Sequence, residues 1–199
     1  MVKEFNVLIA GVGGQGVILM SELLGKAAVR DGLRVRGSEV LGMAIRGGSV
    51  VSMIRLGDEV YGPLIPLGKG DALVAMELAE GLRNIAYLSK SSVVILNTQR
   101  IVPATVLIGK SNYPSLEEVV EILNAISNRV VRLDAARIAE EAGSFMTANI
   151  VMLGALSAIS QLPVKVKTIK ESIQDHFSGK LAQVNLKAFD LGYQACQQA

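Results

Sequence analysis

An apolar run, Val7-Leu8-Ile9-Ala10, leads straight into Gly11-Val-Gly-Gly-Gln-Gly16, and an amphipathic stretch begins at Val17. The glycines at 11, 13 and 16 take the spacing G-x-G-x-x-G. In that spacing the first glycine permits a tight turn, the second lets backbone approach a pyrophosphate, and the third lets a helix pack close to its strand. The run before the loop reads as a parallel strand buried on both faces. Val17 to Val29 predicts a helix, with Val17, Met20, Leu24, Ala27 and Ala28 at helical spacing and Asp31-Gly32 as its stop. Leu33 to Arg36 alternates as a second strand, so Phe5 to Arg36 reads as one βαβ unit with the glycine loop at its first turn.

Composition narrows what such a unit belongs to. The 199 residues fit one domain spanning 1–199, a size that buries roughly 70% of the surface its unfolded chain exposes. Half the residues are hydrophobic, yet no uninterrupted apolar run reaches the roughly 18 residues of a membrane span. The opening MVKEFNVLIAG carries Glu4 and Asn6 ahead of a short apolar run and no small-residue cleavage site, so the expected compartment is the cytoplasm. With one cysteine, Cys196, and one histidine, His176, the chain can form neither an internal disulfide nor a zinc or iron–sulfur site of the usual ligands. A net charge of +2, no long basic run and only four Phe and four Tyr argue against nucleic acid as a partner.

Beyond the first unit the pattern changes. Ser49 to Leu56 predicts a strand, and residues 49–66 read as an antiparallel excursion too rich in Gly and Pro for a long helix. Asp71 to Met76, Ser92 to Leu96 and Val130 to Leu133 predict further strands, with a helix over Leu78 to Leu88. Ser115 opens a helix through a capping box with Glu118, and Leu116, Val119, Val120, Leu123 and Ile126 form its apolar stripe. From Ala135 the chain reads as helices over 136–141, 147–160, 168–177 and 181–197. Ile150 to Ile159 is small and apolar all round, which places it between other elements or at a subunit contact. The expected fold is α/β: a three-layer Rossmann-like sheet, mostly parallel with an antiparallel excursion, and a helical C-terminal third.

A nicotinamide-binding unit needs an acid at the end of its second strand, roughly 20 residues past the glycines, to hold ribose hydroxyls. Glu39 is the nearest, but Gly42, Arg46, Gly47 and Gly48 crowd the same stretch. Arg46-Gly47-Gly48 has two readings. Two glycines permit positive φ, so successive amides and a forked guanidinium can cradle a carboxylate or phosphate. The other reading is a glycine-rich turn carrying a surface arginine.

Taken together, GVGGQGV (11–17) and SEVLGMAIRGGSV (38–50) resemble one family: the beta subunit of indolepyruvate ferredoxin oxidoreductase and the gamma subunits or domains of pyruvate and other 2-oxoacid ferredoxin oxidoreductases. The likeness continues through NTQRIVP (97–103), YPSLEEV (113–119), ANIVMLGAL (148–156) and NLKAF (185–189), nearly the whole chain. The form SEV-x-GMA-x-RGG favours the arylpyruvate branch, although Leu41 and Ile45 stand where the family often has histidine and glutamine.

The resemblance implies an enzyme that oxidatively decarboxylates a 2-oxoacid, transfers the acyl group to coenzyme A and passes electrons to ferredoxin. Its thiamine diphosphate, magnesium and four-iron four-sulfur clusters would then sit on a larger alpha subunit, and this chain would carry no cofactor and be inactive alone. It gives no reason to put a nicotinamide on the glycine loop. Gly11, Gly13, Gly14, Gln15, Gly16, Glu39, Arg46, Gly47 and Gly48 are the candidate ligand or interface residues, with no catalytic residue and no metal ligand among them. Free amides at a helix N-terminus suit a coenzyme A phosphate, a carboxylate or a partner's acidic side chain, and the residues alone do not choose.

Rival classes are an NAD-dependent dehydrogenase, for which no nicotinamide-shaped catalytic set is visible, and a flavin- or nucleotide-binding regulatory module. His176 reads as a surface residue or a helix-dipole partner, Cys196 as a packed or frayed terminal residue. Asn149 and Asn185, inside helical stretches, call for specific hydrogen bonds within the chain or across an interface. Glu117, Glu118, Glu140 and Glu141 read as solvated helix faces. If the Arg46 guanidinium forks onto an anion at a desolvated contact, Arg46→Ala costs about 2–5 kcal/mol of assembly, and Arg46→Lys loses the bidentate geometry. Melting of the free chain should barely move in either variant; wild-type assembly and activity in Arg46→Ala would make the segment merely a turn.

Overall fold

The computed structural model describes residues 2–42 and 47–199, with the side chains of Ala104 and Thr105 left aside. Six strands, β1 (Phe5–Val12), β2 (Val35–Leu41), β3 (Ser49–Leu56), β4 (Ala72–Ala75), β5 (Val93–Asn97) and β6 (Arg129–Leu133), form one sheet in the order β2-β3-β1-β4-β5-β6. β1, β4, β5 and β6 are parallel, and β3 is antiparallel to both β1 and β2.

The sheet differs from the simple βαβ expectation in one respect. β2 runs in the same direction as β1 but does not touch it, because β3 lies between them. The apolar content of the two strands explains the order. In β3, Val50, Ser52, Met53, Ile54 and Leu56 are buried, whereas no residue of β2 is. The more apolar strand takes the inner place beside the fully buried β1, and VRGSEVL takes the edge. β2 also begins later and runs further than expected, so Glu39 sits within it and not beyond its end. Residues 57–66 add no strand.

The helices are α1 (Val17–Arg30), α2 (Leu78–Arg83), α3 (Ala104–Leu107), α4 (Leu116–Ile126), α5 (Ala135–Ala142), α6 (Ala148–Ser157), α7 (Val166–His176) and α8 (Gly179–Gln198). The capping box of α4 forms in both directions, Glu118 N to Ser115 Oγ at 3.1 Å and Ser115 N to Glu118 Oε2 at 2.8 Å. The helix expected over 78–88 breaks at Asn84, whose Nδ2 donates to Glu80 O at 2.8 Å and competes with the continuing ladder; a 3-10 turn follows at Ile85–Tyr87. The short α3, unforeseen, starts after Pro103, whose carbonyl accepts the amides of Val106 and Leu107.

Alternation along the inner strands feeds two cores. Val7, Ile9, Val74 and Ile95 pack beneath α1 and α5 to α8, while Leu8, Leu73, Val94 and Leu96 pack beneath α2 and α4. α6 is buried along nearly its whole length, as its composition predicts, and packs against α8 as well as the sheet. Two glycines set that contact. A Cβ on Gly154 would stand 2.1 Å from Phe189 O, and one on Gly192 2.0 Å from Val151 O, so the two backbones approach as only glycine allows.

Gly154→Ala or Gly192→Ala should therefore destabilise the chain by about 1–3 kcal/mol or more, since the obstacle is backbone that cannot rotate away. Gly25→Ala in α1, whose Cβ would meet Val35 Cγ1 at 3.7 Å, should instead stabilise it by about 1 kcal/mol through helix propensity. Urea midpoints measure both; an unchanged midpoint in Gly154→Ala would disprove the tight crossing.

Candidate functional site at the carboxyl end of the sheet

The loop after β1 folds as its glycines require. Gly14 and Gly16 have φ of 99° and 75°, the left-handed region that side chains with a Cβ avoid. Gln15 holds the loop from inside: its Oε1 accepts the amide of Val12 at 2.9 Å and its Nε2 donates to Met76 O at 2.9 Å. Gly11 supplies room and not a turn, because a Cβ there would lie 2.7 Å from Gln15 Oε1 and 2.9 Å from Met76 Cβ. A Cβ on Gly16 would lie 2.4 Å from Asn149 Nδ2, and that amide reaches Gly16 O at 3.4 Å. Asn149 and Asn185 both bond within the chain, the latter through Nδ2 to Leu181 O at 2.8 Å.

The second motif lies beside the first. The amide of Gly13 donates to Gly48 O at 2.8 Å and that of Gly47 to Gly13 O at 3.3 Å. Arg46 lies outside the described residues. Glu39 is exposed on β2 and lines a separate groove with α1, so it does not join the glycine loop.

A cleft of about 580 Å³ opens over the loop, walled by Gly13 to Gly16, Met76 after β4, Gln99 and Ile101 after β5, and Asn149 at the start of α6. Phe145 and Met146 stand on its rim, 68% and 77% exposed. It lies where β1 and β4 send their helices to opposite faces of the sheet, the crevice in which α/β folds gather ligands. No described lining residue is charged. The polarity of the site comes from the amide side chains of Gln15, Gln99 and Asn149 and from backbone: α1 begins at Val17 behind Gly16 with no side-chain cap, leaving the positive end of its dipole at the loop.

One buried acid stands behind the wall. Glu77, 1% exposed, caps α2 by accepting the amides of Ala79 at 2.8 Å and Glu80 at 3.2 Å. Its other oxygen accepts the amide of Ile101 at 3.3 Å and the hydroxyl of Tyr113, whose ring carries the Arg100 guanidinium 5.1 Å from its centre. Burial pushes the Glu77 carboxyl above the ordinary range, and neighbouring Glu80 adds to the rise, against the backbone amides that hold it down. Sequence reasoning missed Glu77, Asn97 and Met76; a charged residue directly after the apolar run ALVAM was the available signal for the first. His176 is exposed at the end of α7, and Cys196 is buried, with burial pushing its thiol up. Among the described residues no group of three or more His, Cys, Asp or Glu is placed to hold a metal ion.

The family model for pyruvate ferredoxin/flavodoxin oxidoreductase matches residues 6–195. The chain belongs to this family. Among oxidoreductase relatives, indolepyruvate oxidoreductase subunit IorB of Pyrococcus horikoshii is 43% identical over 197 residues, 98% of each chain. The common gamma subunit of the pyruvate/ketoisovalerate oxidoreductases of Pyrococcus furiosus is 28% identical over 186 residues, 92% of each. The 2-oxoglutarate:ferredoxin oxidoreductase of Magnetococcus marinus, solved with 2-oxoglutarate, coenzyme A and succinyl-CoA, shares the fold with a TM-score of 0.76 at 22% identity, over 100% of this chain and 32% of its own. In this oxidoreductase chain the glycine loop builds one edge of the cleft, and Gly47 and Gly48 are hydrogen-bonded to that loop at Gly13.

Because the folded Glu77 pKa is raised, its neutral form favours the fold. That contribution is fully present below the unfolded value, about 4.3, and is lost as pH rises through the higher folded value. Relative to Glu77→Gln, the native chain should lose stability across that window. Unfolding curves at a series of pH values test the sign, and parallel stability–pH curves for the two proteins would contradict it.

Proposed function

We propose that this chain is the non-cofactor-bearing subunit of a 2-oxoacid ferredoxin oxidoreductase of the indolepyruvate, or arylpyruvate, type. The single observation that carries the substrate class is the 43% identity, over 98% of both chains, to an indolepyruvate oxidoreductase subunit, against 28% to a subunit serving pyruvate and ketoisovalerate. A larger alpha subunit carries the thiamine diphosphate, magnesium and four-iron four-sulfur clusters. Supporting this division, the lone Cys196 is buried and the described residues of the cleft include no acid or base. The complex decarboxylates the 2-oxoacid, transfers the acyl group to coenzyme A and delivers the electrons to ferredoxin.

Within the complex, the glycine-loop cleft receives an anionic group: a coenzyme A phosphate, a carboxylate or an acidic side chain of the partner. Open amides and the α1 dipole favour a negative charge there, and a neutral lining does not oppose it. Gly13, Gly14, Gln15 and Gly16 frame the group, and Arg46 with Gly47 and Gly48 serves the same ligand or the partner. We place the complex in the cytoplasm; no described helix is long and apolar enough to cross a membrane.

Reconstitution tests the reading. Reduction of ferredoxin or a viologen dye by indolepyruvate and coenzyme A should require both subunits. Turnover by this chain alone would overturn the subunit role, and a complex active on pyruvate but not on arylpyruvates would move it to another branch.

A further inference from the structure

The open edge of the sheet has a definite hydrogen-bonding phase. Gly42 N donates to Ser49 O and Gly57 N to Arg34 O, both at 3.1 Å, at the two ends of a register in which Val35 faces Leu56 and Leu41 faces Val50. Bonded pairs alternate along an antiparallel ladder, so the even residues Arg36, Ser38 and Val40 turn their backbone groups toward β3. Val35, Gly37, Glu39 and Leu41 turn theirs outward, where among the described residues no further strand lies. The bond from the Arg36 guanidinium to Val35 O at 3.0 Å fits the same phase, a side chain covering an outward carbonyl.

Beside this edge, between α1 and the β2–β3 pair, runs a groove of about 440 Å³. Val35 and Ile54 line its floor, Gly25 and Gly37 leave it open, and Glu22 and Glu39 stand along it. Glu22 shares Lys26 at 2.5 Å, whereas Glu39 is exposed. A strand added to β2 would set every second side chain on the groove side. At the far end Leu41, 57% exposed, offers apolar contact on the groove face, and Val40, 56% exposed, on the opposite face.

We propose that the outer edge of β2 and this groove receive an extended segment of the partner subunit, paired to the backbone of Gly37, Glu39 and Leu41, with an Arg or Lys side chain laid along Glu22 and Glu39. Charge decides between a partner and a second copy. Two β2 strands pairing about a twofold axis keep their faces, so the copy would again offer Val35, Gly37, Glu39 and Leu41 to the groove, an acid and no cation. Arg36 lies on the opposite face. A foreign strand with a basic residue fits; a second β2 does not.

The inference rests on the subunit reading, and hydrogen exchange of the full chain, free and assembled with the alpha subunit, separates the two. Amide exchange is allowed in each state, quenched, and read by NMR. In the complex the amides of Gly37, Glu39 and Leu41 should slow by at least about tenfold, while Arg36, Ser38 and Val40 are slow in both states. Glu39→Pro, which removes one outward donor and spares the β3 ladder, and Glu39→Lys, which reverses the charge, should each weaken association at least about tenfold. An assembled complex whose three outward amides exchange as in the free chain overturns the proposal and leaves the subunit reading intact. Slowing of those amides in the free chain as its concentration rises overturns it in favour of a second copy. Failure of the two chains to assemble overturns the subunit reading itself.

Discussion

One backbone carbonyl gathers the ends of three parallel strands. Met76 O, just past β4, accepts Gln15 Nε2 from the loop after β1 at 2.9 Å and Asn97 Nδ2 from the end of β5 at 3.1 Å. Asn97 in turn accepts the amide of Ala135 at 3.1 Å, at the start of α5. Strand ends in an α/β sheet expose orphan backbone groups, and a buried one left unpaired costs about 1–3 kcal/mol. Here the pairing is done by two side-chain amides, each able to donate and accept, so satisfying the backbone also fixes where the glycine loop and the β5 loop stand. The cleft between them follows from that constraint.

Around this frame the site is assembled from opposite requirements. The loop needs residues without side chains, because Gly14 and Gly16 sit at positive φ and Gly16 meets Asn149 at close range. The wall needs a buried acceptor, and Glu77 supplies it to four donors drawn from α2, the β5 loop and the segment before α4. A carboxylate taken out of water is tolerated when each oxygen is hydrogen-bonded, and its raised pKa records what burial still costs. Among the described residues no charge faces the cleft itself, so none of them opposes the dipole of α1 there.

The same sheet has a finished side and an open one. β1, β4 and β5 are covered on both faces, and α6 is pressed against α8 through paired glycines. β2 has little of this cover: Val35 reaches the core beside α1, but the strand contains Gly37 and no residue of it is buried. Insertion of β3 between β1 and β2 departs from the strand order that a simple βαβ unit would impose. Gly47 and Gly48 reach Gly13 through the start of β3, whereas Glu39 is carried to the outer edge.

Most of the elements were legible in the residues, and the arrangement was not. Local rules suffice for the strand–glycine loop–α1 turn, the Ser115–Glu118 capping box, the buried α6 and the strand at Ser49–Leu56, because periodicity, caps and positive φ are properties of neighbouring residues. The family resemblance was equally written in the two motifs, and the match over 6–195 bears it out. Strand order depended instead on a competition between distant segments for the place beside β1, won by burial of Val50, Met53, Ile54 and Leu56 over the polar β2. The length of α2 turned on a side chain, Asn84, choosing the carbonyl of Glu80. Glu77 looked like any helix-starting acid until the fold brought Ile101 and Tyr113 to it from 24 and 36 residues away. A sequence fixes the chemistry each residue can offer; only the packed sheet decides which donor meets which acceptor, because that choice is made by burial across the whole chain.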